Sequence, residues 1–72
     1  MTTGWYFTGK ELIKLYVHAV YEEDIIHSYE GEIEGMNEIL VEGFETEEET
    51  RNELVRILVD RGYEGKVKWT QD

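Results

Sequence analysis

The strongest periodicity in the chain lies between residues 47 and 61. Leu54, Leu58 and Arg61 fall along one helical face, with Val55 and Val59 beside them and Ile57 at the edge. In front of this stripe, Thr46-Glu47-Glu48-Glu49 reads as a capping box. The Thr46 hydroxyl accepts from the Glu49 backbone N–H, and the Glu49 carboxylate returns a bond. Three glutamates in the first turn suit the positive end of the helix dipole. Glu47 and Arg51 stand in the favourable i,i+4 order, and Gly62 occupies the expected C′ position. The spacing predicts a helix over 47–61.

Elsewhere the pattern alternates. In Lys66-Val67-Lys68-Trp69-Thr70 one face carries Val67 and Trp69 and the other Lys66, Lys68 and Thr70, which predicts a terminal strand. Between residues 29 and 35, Tyr29, Gly31, Ile33 and Gly35 share a face opposite Glu30, Glu32 and Glu34. Gly35-Met36-Asn37 then reads as a turn into a strand over 38–44, where Ile39 and Val41 share a face.

The first third reads two ways. Thr8-Gly9-Lys10-Glu11 fits a capping box, and Leu12, Leu15, Tyr16, Ala19 and Val20 have helical spacing. Yet Ile13, Leu15, Val17, Ala19 and Tyr21 alternate with Lys14, Tyr16, His18 and Val20, and the segment is rich in β-branched and aromatic residues. The strand over 12–21 is the favoured reading, with Trp5-Tyr6-Phe7 either a short partner strand or a flap over the core. The expectation is one α+β domain spanning 1–72, a small antiparallel sheet of about three or four strands in the order β-β-β-α-β with one amphipathic helix on one face. The alternative is α-β-β-α-β.

Charge changes the picture more than composition does. From Leu15 to Thr50 there is no Lys or Arg, while twelve of the chain's seventeen acids fall there: Glu22, Glu23, Asp24, Glu30, Glu32, Glu34, Glu38, Glu42, Glu45, Glu47, Glu48 and Glu49. The formal net charge of −10 therefore comes wholly from the middle of the chain. Such self-repulsion is avoidable with a few lysines, so these twelve residues are the candidate partner-binding set. An acidic chain repels nucleic-acid phosphates and anionic membrane surfaces and attracts basic protein surfaces, many of which bind nucleic acids. The expected partner is thus a basic protein surface, with neither direct nucleic-acid nor membrane binding.

The remaining chemistry is sparse. There is no Cys, which removes disulfides and thiolate metal sites. His18 and His27 lack the spacing of a zinc motif, and no EF-hand or phosphate-binding glycine loop is present, so no metal and no cofactor is expected. Ser28 is the sole serine, and its neighbour His27 points to the opposite side of a strand, so no triad forms and no catalytic residue is expected. Trp5 and Tyr6 are candidate aromatic anchors, since three aromatics in a row cannot all point inward. No apolar run reaches membrane-spanning length, and the first residues lack the basic and apolar regions of a signal peptide, so a cytoplasmic protein is expected, in the host cytoplasm if phage-encoded.

Two functions fit. In the first, Glu30, Glu32 and Glu34, spaced about 6.6 Å apart along a strand, imitate nucleic-acid phosphates. Together with Glu38, Glu42 and the acids of 45–49, they form a charged array that blocks a nucleic-acid-binding protein. Small acidic inhibitors and decoys of phages and mobile elements work in this manner, and the chain shares their size and charge. In the second, the domain is a non-catalytic interaction or assembly module, a homodimer among its forms, and acidity keeps it soluble.

Overall fold

The computed structural model describes residues 1–36 and 39–71, the side chains of residues 39 and 40 excepted. Five strands and one helix follow in the order β1 (Thr2–Phe7), β2 (Leu12–Glu22), β3 (Ile25–Ile33), β4 (Ile39–Phe44), α1 (Glu47–Asp60) and β5 (Lys66–Gln71). The strands form one sheet in the spatial order β4-β3-β2-β1-β5, with every neighbouring pair antiparallel. The first four strands are a meander. α1 then carries the chain across the sheet, so that β5 joins the opposite edge beside β1. β4 and β5 consequently run parallel at the two edges, a relation that requires a crossover rather than a tight turn.

The α+β sheet with a single covering helix is the architecture expected, but it has five strands instead of three or four. The difference lies at the start of the chain. Trp5-Tyr6-Phe7 belongs to a full interior strand beginning at Thr2, held by β2 on one side and β5 on the other. It is not a flap. Residues 12–22 are strand, and the helical alternative for them is not realised, because their apolar positions alternate in space. Leu15 and Val17 are fully buried under α1, while Tyr16 and His18 lie on the opposite face.

The core forms between that sheet face and α1. Tyr6, Leu15, Val17, Ile33, Val41, Leu54 and Leu58 are buried, with Phe44, Tyr63 and Trp69 packed around them. Two glycines make this closeness possible. A Cβ on Gly31 would sit 2.7 Å from Leu54 Cδ1, and one on Gly4 would sit 2.5 Å from the Trp69 ring. Tyr6 satisfies its hydroxyl by donating to the Tyr63 carbonyl at 3.0 Å. At the helix start, the Glu49 N–H donates to the Thr46 hydroxyl at 3.1 Å as the capping box requires. The Glu49 carboxylate, however, accepts from that same hydroxyl at 2.9 Å.

The β2–β3 hairpin outruns its neighbours. β1 pairs with β2 only as far as Val17, and β4 pairs with β3 only from Tyr29 to Glu32. Residues 18–28 therefore project as a two-stranded arm, and the molecule measures 42 × 23 × 20 Å. The turn at its tip is Glu23-Asp24, both with positive φ, at 53° and 66°.

Candidate protein-binding surface

Antiparallel pairing decides where each acid goes. Thr2 lies across from Val17 and Gln71, so the arm, the chain start and the end of β5 share one end of the molecule. β4 also finishes there, because Phe44 pairs with Tyr29. α1 begins there as well, since the Thr2 hydroxyl donates to the Glu47 carboxylate. The turn acids Glu22, Glu23 and Asp24, the exposed Glu42, and Glu45, Glu47, Glu48 and Glu49 thus converge on the arm end. Glu38 lies outside the described residues.

The strand row is different. Glu30, Glu32 and Glu34 point away from α1, onto the open face of the sheet. The row is built into that face instead of standing clear of it. His18 Nε2 lies 2.5 Å from Glu30 Oε1. The Tyr16 hydroxyl donates to Glu34 at 3.1 Å. Partial desolvation, followed by that hydrogen bond and the charges of Glu34 and Glu32, raises the Tyr16 pKa above its ordinary 10.0. Two residues, Glu42 and Gly43, stand opposite Glu30, because the register slips between the Tyr29–Phe44 and Gly31–Val41 pairs. Gly43 takes a φ of 82° there.

The open face changes sign from one edge to the other. On the β5 side it carries Lys66 and Lys68. In the middle lie Trp5, Phe7 and Tyr16, with Lys14 Nζ 5.2 Å from the centre of the Trp5 ring. Trp5 also donates from its indole to Thr70 Oγ1 at 2.9 Å. On the β3 side lie the three glutamates. The row runs down the sheet from Glu30, paired with His18, through Glu32, paired with Tyr16, to Glu34, whose N–H donates to the Lys14 carbonyl. Only its Glu30 end therefore lies toward the acids of 45–49, which are on the α1 side. Of the two aromatic anchors, Trp5 is half-buried on the surface, whereas Tyr6 is wholly in the core and presents nothing to a partner.

The bases are placed elsewhere or engaged. Arg51 bonds Glu47 at 2.8 Å and lies 5.1 Å from the centre of the Trp69 ring. Arg56 is held between Glu53 and Asp60. Lys10, Arg61 and Lys66 lie around the opposite end, where the β1–β2 turn, the end of α1 and the start of β5 meet. The molecule is therefore polar along its length, with an acidic arm end and a mixed opposite end that also holds Glu11 and Glu64.

The arm supplies residues that the charge pattern alone did not single out. Tyr21, Ile25 and Ile26 are large, apolar and exposed around the acidic turn. Their signal in the sequence was present: Tyr21 and Ile25-Ile26 flank Glu22-Glu23-Asp24, as strand residues flank a tight turn. His27 lies 3.4 Å from Glu22 across the arm. Among the described residues, no three His, Cys, Asp or Glu side chains gather in an arrangement that could hold a metal ion. Among those same residues, no helix is long and apolar enough to cross a membrane. No protein-family model matches the chain, and no curated protein and no solved structure matches it either.

Proposed function

We propose that this chain is a non-catalytic binding protein that captures the basic surface of a nucleic-acid-binding protein and competes there with nucleic acid. A decoy of this kind acts as an inhibitor, in the manner of the small anti-defence proteins of phages and mobile elements. One observation carries the reading: the fold draws eight acids of the base-free span to a single end, and Arg51, the first base after that span, is occupied by Glu47. A surface of one sign steers an oppositely charged partner and speeds encounter. The Glu30-Glu32-Glu34 row adds carboxylates at a nearly phosphate-like spacing, two of them fixed by His18 and Tyr16.

The test is capture from a bacterial lysate with the immobilised protein, repeated with excess duplex DNA. The expected catch is a nucleic-acid-binding protein that DNA displaces. Its affinity falls steeply between about 50 and 200 mM salt. It also falls when Glu22, Glu23 and Asp24, or Glu45 and Glu48, are replaced by their amides. A catch indifferent to both DNA and salt overturns the proposal. The assembly reading draws on the exposed apolar arm, and a dimer that dissociates on dilution would favour it.

A further inference from the structure

α1 is too short to cover the sheet face on which it packs. Fourteen helical residues extend about 21 Å, whereas the eleven residues of β2 extend about 36 Å. The helix begins level with Thr2 and Val17, and beyond it the same sheet face continues with no covering element among the described residues. There Ala19, Tyr21, Ile26 and Tyr29, with Met1, line a concavity of about 410 Å³ whose edge carries Glu47. Tyr21 is 64% exposed and Ile26 47%, while Ile25, on the other face of the arm, is 70% exposed. Bare apolar groups of this size at the end of a slender arm are a feature of binding surfaces.

The rim of this shelf says what covers it. Glu47 lines it at the helix start, and the turn Glu23-Asp24 closes the arm at its far end, while Glu22 lies with Ile25 on the other face. A twofold pairing of arm with arm would bring two such rims together, which like charge opposes. An occupant with its own positive charge meets no such penalty.

We propose that the shelf binds an amphipathic basic segment of the partner, one that lays a large apolar side chain between Tyr21 and Ile26 and sets Lys or Arg toward the tip acids Glu23 and Asp24 and the exposed acids at the helix start. The proposal rests on reading the acidic end as a protein-capturing surface and assigns that surface its anchor. Charge then supplies speed and apolar burial supplies lifetime.

Two synthetic peptides with the same number of lysines test it, one interspersed with leucine and one with serine. Each is titrated into isotope-labelled protein and followed by amide chemical shift. The leucine peptide is expected to bind at least about tenfold more tightly and to shift Ala19, Tyr21, Ile26 and Tyr29. Tyr21→Ser with Ile26→Ser should remove that advantage while leaving the weak, salt-sensitive binding of the serine peptide in place. Both side chains are exposed, so a circular-dichroism melt should confirm that this variant folds like the parent. Equal binding of the two peptides, or shifts confined to Glu30, Glu32 and Glu34, overturns the shelf and leaves charge-based capture standing. So does a dimer of the parent that Tyr21→Ser and Ile26→Ser dissociate, since the occupant would then be a second copy. Leucine-dependent binding combined with a lysate catch indifferent to DNA would instead keep the shelf and discard competition with nucleic acid.

Discussion

The β2–β3 hairpin passes through two environments without changing its composition much. In the half under α1, Leu15, Val17 and Ile33 are sealed against Leu54 and Leu58. In the projecting half, Tyr21, Ile25 and Ile26 are equally apolar and lie in the open. Apolar content alone does not separate the two halves, although the covered half alternates and the arm, with Ile25 and Ile26 consecutive and a register slip at Val20-Tyr21, is apolar on both faces. What separates them is the reach of the helix, set by where Thr46 caps it. An apolar strand face is core where something covers it and a binding surface where nothing does.

Truncation on the two sides should give the largest contrast. Leu15→Ala leaves a cavity under α1 and should cost about 2–5 kcal/mol, comparable with the whole folding free energy of so small a domain. Ile26→Ala, on the same sheet face beyond the helix, should cost no more than about 0.5 kcal/mol. Urea unfolding of both variants measures the difference. Similar losses would mean that the arm is packed in solution and that the division is wrong.

Gly31 sharpens the covered side. Its missing Cβ is the space that the Leu54 side chain and the Thr50 methyl occupy. Gly31→Ala should cost about 1–3 kcal/mol by pushing α1 outward. Combined with Leu54→Ala, it should be non-additive by about 0.5 kcal/mol or more, because the second truncation makes room for the first. Strict additivity in the double-mutant cycle would show that helix and strand do not meet there.

These positions also show what the sequence disclosed. The helix, its cap, the terminal strand and the alternation of 29–35 were legible because each is a local pattern. Gly31 was read as one more residue on the apolar face, and its role as the seat for Leu54 needed the helix in place. The acidic span was legible as a run of charge. Its division between the arm end and the open face follows from strand register, a non-local property. The arm was hardest to see. Its turn, Glu23-Asp24, lacks the Asn or Gly that marks a two-residue hairpin with positive φ at both positions.

That turn offers a prediction on the exposed side. Glu23 and Asp24 hold left-handed φ values of 53° and 66°, which Asp tolerates and Glu does not favour, without the Asn-Gly pair that suits both positions best. Glu23→Asn with Asp24→Gly should relieve about 1 kcal/mol of local strain. The arm is paired only within itself beyond Val17 and Tyr29, so the gain should appear mainly as slower amide hydrogen exchange in residues 20–27, with a smaller shift in the urea midpoint. Faster exchange in the arm would contradict the turn geometry.

The smallest effect should come from the outer face of α1, where charges are paired as they are not on the arm. The Arg56 guanidinium donates to Glu53, and this hydrogen bond, aided by the charge of Arg56, holds the Glu53 carboxyl below its ordinary 4.5 against the opposing pull of desolvation. The folded chain therefore releases this proton at lower pH than the unfolded chain. The pair's contribution is complete above pH 4.5 and is lost as pH falls through the lowered folded value. An exposed pair of this kind is screened by solvent and contributes little. Arg56→Gln should thus cause a slight loss of stability at neutral pH that vanishes in acid, and the Glu53 carboxyl resonance should titrate at higher pH in the variant than in the parent. A Glu53 midpoint unmoved by Arg56→Gln would show that the pair does not persist in solution. The ordering of charge on the helix would then be no firmer than that on the arm.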